Sequence, residues 1–255
     1  MRRVTTLASV LTGAVLAMAV SQVQAAAAVT ANLTSGEKIF KEGKGTVPAC
    51  KLCHGDDGMG NDAMGTPRLA GQIAEFVLKQ LTDFATDRRQ DLTMFVMNNN
   101  AKGLSEQDRR DVAAYVSTLA QEEATSTGAG SDLKALAAQG IAVGQTYLGL
   151  KIVLYGAPER GIPACRSCHD YNGRGAPPIY PMIGQQKYVY LTNQLKHWRD
   201  GSRANDPRTQ MQQVARRLTD DDIINVAAYL TNASPFSIGN TRLPERPLSM
   251  KLVRD

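Results

Sequence analysis

This sequence is short of several residue types, and each shortage removes a class of protein. Four cysteines and three histidines serve all 255 residues, and aromatics make up only 5%. The cysteines fall in two close pairs, Cys50/Cys53 and Cys165/Cys168, which leaves none over for a disulfide framework. Beyond the first 25 residues no apolar run is long enough to span a bilayer as a helix. So few aromatics leave thin cores unless another large apolar object fills them. Hydrophobic residues at 43% nevertheless exclude a wholly disordered chain.

What is present centres on one stretch that occurs twice. Pro48-Ala49-Cys50-Lys51-Leu52-Cys53-His54 returns as Pro163-Ala164-Cys165-Arg166-Ser167-Cys168-His169. Cys-x-x-Cys-His is the arrangement that attaches a c-type haem. On one helical turn, residues i, i+3 and i+4 share a face, so both sulfurs and the imidazole can meet one macrocycle. A zinc site would pair two such knuckles closely, and these lie 115 residues apart. A redox disulfide needs no histidine after the second cysteine. Two covalently bound haem c groups are the reading, held by Cys50, Cys53, Cys165 and Cys168.

The first 25 residues read as an export signal. Arg2 and Arg3 precede an apolar run from Leu7 to Val20, and Val23-Gln24-Ala25 forms a small-residue cleavage site. The run is short for a membrane anchor. The mature protein is expected in the periplasm, cleaved near Ala25.

Along the chain the pattern is helical. Ser35 is predicted to cap a helix carrying Ile39 and Phe40 inward, and a glycine-rich loop runs from Gly55 to Gly71. Ile73, Phe76, Val77, Leu81 and Phe84 recur at helical spacing, with Glu75, Lys79 and Asp83 on other faces. A polar loop with Met94 and Met97 leads to a helix capped by Ser105 and Asp108, with Val112, Tyr115, Val116 and Leu119 as its stripe. After a flexible stretch from Glu123 to Asp132 the plan repeats. Leu69 to Gln72 answers to Met182 to Gln185, Gln80-Leu81 to Gln194-Leu195, and Val112 to Tyr115 returns unchanged as Val226 to Tyr229. A constant offset of 113 to 115 predicts two copies of one all-α haem domain. The expected divisions are a signal at 1–25, a first domain at 26–124, a linker at 125–131, a second domain at 132–233 and a basic tail at 234–255.

Scarcity of histidine then narrows the iron ligands. His54 and His169 follow the cysteine pairs as proximal ligands, and only His197 remains, so two bis-histidine haems are excluded. Methionine is the other common sixth ligand. Met97 and Met211 match at offset 114, each seven residues before a Leu-Ser or Leu-Thr pair. Met94 is the reserve for the first haem. Pro67 and Pro181 stand 13 and 12 residues after their histidines, placed to offer each imidazole a carbonyl.

Charge is unevenly shared. Residues 26–131 carry 11 basic against 14 acidic side chains, and residues 132–255 carry 16 against 10. Arg203, Arg208, Arg216 and Arg217 bracket Met211 and are read as a ring around the second haem, with Arg88 and Arg89 as first-domain counterparts. An acidic redox partner is expected to dock at the second domain.

With these residues in place, the chain resembles the dihaem cytochrome c4 family over roughly residues 36–233. The likeness rests on Pro-Ala-Cys-x-x-Cys-His, on Leu69 to Gln72 and Lys79 to Phe84, on the methionine before Leu-Ser, and on Val-Ala-Ala-Tyr. The resemblance implies two tandem cytochrome c-like domains related by a pseudo-twofold axis, His/Met ligation at both irons, and single-electron transfer to respiratory oxidases. By position its methionine ligands fall on Met97 and Met211. The apolar segment Ile141 to Tyr155 and the tail after Ala233 depart from the family pattern. The expected function is an electron carrier without turnover of its own. A dihaem peroxidase or thiosulfate-oxidising enzyme, and the dedicated electron-transfer subunit of a dehydrogenase, stand as alternatives. Expected partners are redox proteins (a terminal oxidase, reductase or dehydrogenase), with peripheral membrane association also compatible and no nucleic acid.

Overall fold

The structure is a computed structural model that describes residues 30–119, 130–234 and 252–253. The signal segment, residues 125–129 and nearly all of the basic tail lie outside the described residues. The first half contains α1 (Leu33–Glu42), α2 (Lys51–His54), α3 (Ala74–Ala85), α4 (Val96–Lys102) and α5 (Glu106–Thr118). The second contains α6 (Leu133–Ala138), α7 (Thr146–Tyr155), α8 (Arg166–His169), α9 (Tyr188–Asp200), α10 (Gln210–Ala215) and α11 (Asp220–Leu230). Two short strands, β1 (Ala31–Asn32) and β2 (Leu252–Val253), pair in parallel and return the chain's last residues to its first described ones. The fold is all-α, as the periodicity predicts.

In each half the first long helix crosses the last, α1 on α5 and α7 on α11. The crossing is close because glycine sits at it. A Cβ on Gly36 would overlap the Asp111 carbonyl, and one on Gly149 would overlap the Asn225 carbonyl. The residues facing those glycines also fasten the helix starts: Asn32 N–H donates to Asp111 Oδ1 at 2.8 Å, and Gln145 N–H to Asn225 Oδ1 at 2.6 Å. Around the first crossing Ile39, Phe40, Val112, Ala113 and Val116 are buried with Val77 and Leu104. Around the second, Ile152, Val153, Ile223, Val226, Ala227 and Leu230 are buried with Tyr188 and Leu191. Each large side chain so buried contributes about 1.5–3 kcal/mol.

Helix ends largely follow their capping residues. Ser105 and Thr219 both form full capping boxes, with Asp108 and Asp222 at the third helical position. The start of α1 differs from expectation. Asn32, not Ser35, is the cap: its side chain accepts from Ser35 N–H at 2.8 Å, so the helix begins at Leu33. The linker reading also meets structure at its end. Ser131 is buried, donates its N–H to Thr231 Oγ1 at 2.9 Å and accepts from Tyr188 N–H at 2.8 Å, so it packs with the second half.

Candidate haem sites and the seam between them

Both Cys-x-x-Cys-His motifs form one turn of helix, and in both the histidine is buried at its end. His54 Nδ1 lies 3.0 Å from the Pro67 carbonyl and His169 Nδ1 lies 2.9 Å from that of Pro181. A carbonyl only accepts, so Nδ1 must donate, which leaves Nε2 with its lone pair free for a metal. Burial lowers both histidines below their ordinary pKa, holding them neutral, the form a metal requires. Burial also pushes the Cys50 and Cys165 thiols up to about 11. The prolines read from sequence as carbonyl donors are in place in both halves.

Met97 and Met211 are each in the first turn of a short helix, α4 and α10, where the sequence suggested polar loops. Both are half-buried, whereas Met94 is 87% exposed. The same two devices aim both methionines. First, two consecutive residues before each helix are left-handed: Met94 and Phe95 (φ 58° and 58°), and Arg208 and Thr209 (φ 58° and 54°). Four non-glycine residues in that region cost of order 1–3 kcal/mol each, and such strain gathers at functional sites. Second, an aspartate receives the methionine's own N–H: Met97 N–H to Asp91 Oδ2 at 3.0 Å, and Met211 N–H to Asp206 Oδ2 at 2.6 Å. Asp91 and Asp206 were not singled out from sequence, though their matched places in the repeat were there to find.

Between the halves runs a buried polar seam, built by exchange. Gln186 takes the backbone of Arg68 at both ends, accepting from its N–H at 2.6 Å and donating to its carbonyl at 2.9 Å. Gln72 does the same for Met182, at 3.1 and 2.6 Å. Arg89 donates to its own Gln80 (2.8 Å) and across to Gln194 (2.9 Å). Arg203 donates to its own Gln194 (2.7 Å) and across to Gln80 (3.1 Å). Each guanidinium also lies over an aromatic ring, Arg89 on Phe84 and Arg203 on Trp198.

This seam corrects three sequence readings. Arg89 and Arg203 are buried in it, so neither is a surface docking residue, while Arg88, Arg208, Arg216 and Arg217 are exposed. Asp83 is buried, held by Lys79, Arg88 and Asn205, although helical periodicity placed it off the core face. Third, the repeat shifts by one residue at the proline loop. Leu69 and Ala70 N–H both donate to the Gly58 carbonyl, as Ile183 and Gly184 do to that of Gly173, so Met182 stands opposite Arg68 and not Leu69. His197 is half-buried on α9.

The residues present fit a haem in each half. Each motif's two cysteines and its neutral imidazole belong to one helical turn, and each half carries a half-buried methionine in the first turn of a short helix. The buried Arg89 and Arg203 form no ion pair among the described residues, a setting that suits a cofactor bearing carboxylates.

Comparison with known proteins agrees. The family model of cytochrome c matches residues 33–120 and 162–234. The chain is 36% identical to the thiosulfate dehydrogenase electron acceptor of Stutzerimonas stutzeri over 82% of its own length and 91% of that protein's. It is 35% identical to cytochrome c4 of Pseudomonas aeruginosa over 74% of its length and 85% of that protein's. Among solved structures, reduced cytochrome c4 from Pseudomonas stutzeri superposes with a TM-score of 0.62 at 28% identity, covering 80% of this chain and 100% of that one. Thiosulfate dehydrogenase (TsdBA) from Marichromatium purpuratum superposes with a TM-score of 0.65 at 30% identity. That likeness covers 85% of this chain but only 41% of the longer one. With two haem motifs, two matching helical halves and these relatives, the chain belongs to the cytochrome c family as a dihaem, cytochrome c4-like electron carrier.

Proposed function

We propose that this protein is the periplasmic electron acceptor of a thiosulfate-oxidising dehydrogenase, with His54 and Met97 as axial ligands in the first half and His169 and Met211 in the second. The observation that carries the ligand assignment is the doubling of the methionine helix, with its left-handed pair and its aspartate, in both halves. Bound haem c supplies a one-electron Fe(III)/Fe(II) couple. The chain's own residues would hold the group through the cysteines, through each imidazole kept neutral and oriented by Pro67 or Pro181, and through one methionine thioether in each half. A soft thioether favours the ferrous state and keeps the sixth position filled, which suits a carrier and not a catalyst. The relative named as a thiosulfate dehydrogenase electron acceptor, 36% identical over 82% of this chain, supports the partner class.

The test is stopped-flow reduction of the purified dihaem protein by thiosulfate, with and without a thiosulfate dehydrogenase. Rapid reduction is expected only when the dehydrogenase is present. Steady turnover of thiosulfate by this protein alone would make it an enzyme and end the carrier reading. Fractionation of cells producing the full chain, with the mature N-terminus sequenced, tests export and cleavage near Ala25.

A further inference from the structure

The seam obeys its twofold exchange closely, and two buried charges stand outside it: Asp83, paired with Lys79 and Arg88, lies opposite His197, and Arg68 has no ion pair among the described residues. Gln72 pairs with Gln186, Gln80 with Gln194, Arg89 with Arg203 and Phe84 with Trp198, each at offset 114. At the same offset Arg68 stands opposite Met182, whose side chain has no charge. Arg68 is fully buried. Its guanidinium turns back over its own loop, Nε donating to the Ala70 carbonyl at 3.0 Å, while Nη1 donates to Gln185 Oε1 at 2.9 Å. Its second terminal nitrogen, Nη2, is buried with no hydrogen-bond partner. No carboxylate pairs with it among the described residues, and Asp57, whose charge it senses, is exposed. The neighbouring residue Pro67 is the one whose carbonyl receives the His54 imidazole at 3.0 Å.

We infer that Arg68 sets the reduction potential of the first haem, as a buried cation without a carboxylate partner among the described residues, at a place where the second half has Met182. Ferric haem carries one more positive charge than ferrous haem, so a fixed cation nearby favours the ferrous state and raises the potential. Burial keeps that influence from being screened by water and salt. Surface charge works in the opposite sense, because the first half is the acidic one and the second the basic one. Arg68 therefore offsets, from inside, a surface imbalance that favours reduction of the second haem. Of the other cations, Arg89 and Arg203 stand at matched places in the two halves and so do not separate them, and Lys187 is half-exposed and donates to the Gly130 carbonyl at 3.1 Å, so solvent screens it.

The test is a redox titration of the dihaem protein, with the two steps assigned by the haem-methyl proton resonances of each ferric centre. Arg68→Met, which copies the second half, is expected to lower the first haem's ferrous-to-ferric ratio at fixed potential about tenfold, about 59 mV for one electron. The second haem should move less than half as far, and the shift should persist in high salt. Arg68→Gln, which keeps a hydrogen-bonding side chain, serves if the methionine variant does not fold, and it should shift the same way. Arg68→Lys should restore most of the native value, which a merely structural role would not predict. Lys187→Met is the control and should move either potential less. Equal shifts at both haems, a shift erased by salt, or no shift with either neutral variant would overturn the assignment. The result does not depend on the partner or on the methionines: wrong sixth ligands would show as a missing thioether–iron absorption band in the unmutated protein.

Discussion

The two methionine helices share a backbone and differ in almost everything they display. Ahead of Met97 the exposed residues are Leu92, Thr93, Met94, Phe95 and Val96; ahead of Met211 they are Pro207, Arg208, Thr209 and Gln210. Both stretches take the same left-handed turn, and both hand a backbone N–H to an aspartate. Repeated geometry under divergent chemistry separates the two demands on these loops. The strained turn serves the methionine beneath it, because it survives replacement of an apolar surface by a basic one. The surface residues are free to serve whatever each half meets.

The largest effect that probes this comparison is loss of a methionine. Met97→Ala and Met211→Ala should each convert one of two low-spin haems to a form lacking the thioether–iron absorption band, with the other unchanged. Met94→Ala should leave both bands intact, since that side chain points to solvent. If Met97→Ala spared the first band, the shared-backbone argument would fail at its centre.

Next come the helix crossings, where the halves are most alike. Gly36→Ala and Gly149→Ala each drive a methyl group into a backbone carbonyl that cannot retreat. Each is expected to destabilise its own half by about 1–3 kcal/mol or more, as overpacking does. Chemical denaturation of the dihaem protein, followed at each haem, measures it. Two crossings of unequal tolerance would show that the halves are less equivalent than their geometry.

The capping boxes give a smaller and pH-dependent difference. Burial alone would raise the Asp108 and Asp222 carboxyls, but hydrogen bonds from Lys44 and Ser105, and from Arg160 and Thr219, prevail and hold both below the ordinary range. A folded pKa below the unfolded one contributes stability above about pH 4 that is lost as pH falls through the folded value. Ser105→Ala and Thr219→Ala should each cost about 1 kcal/mol at neutral pH. Arg160 grips Asp222 at two points (2.6 and 3.1 Å), whereas Lys44 reaches Asp108 at one (2.6 Å). Acid titration of stability should therefore release the first half's cap at higher pH than the second's. The reverse order would count against the two-point grip.

The smallest effect concerns the displayed surfaces. Arg208→Glu with Arg216→Glu should slow reduction by an acidic partner several-fold at low ionic strength and little near 1 M salt, where the Debye length is about 3 Å. Lys38→Glu, exposed in the first half, is the matching control; Arg88 cannot be one because it pairs with buried Asp83, nor Arg89 because it lies in the seam. A rate equally sensitive to Lys38→Glu would place docking elsewhere.

The amino-acid sequence alone determined the chemistry that is local in the chain. Cys50, Cys53 and His54 share a helical turn because of their spacing, and so do Cys165, Cys168 and His169. The repeat singled out Met97 and Met211, and serine or threonine with aspartate three residues on determined two helix starts. Those features depend on residues within a turn of one another, where spacing is geometry. Tertiary structure decided what depends on meeting across the fold. Asp83 read as lying off the core face of α3 because helical period separates faces without saying what lies opposite each. Only docking of the second half buried it, turned Arg89 and Arg203 from candidate docking charges into seam residues, and set Arg68 against Met182. A buried guanidinium and a surface one have the same letter in a sequence; desolvation, which makes their charges act differently, exists only once the two halves have closed around one of them.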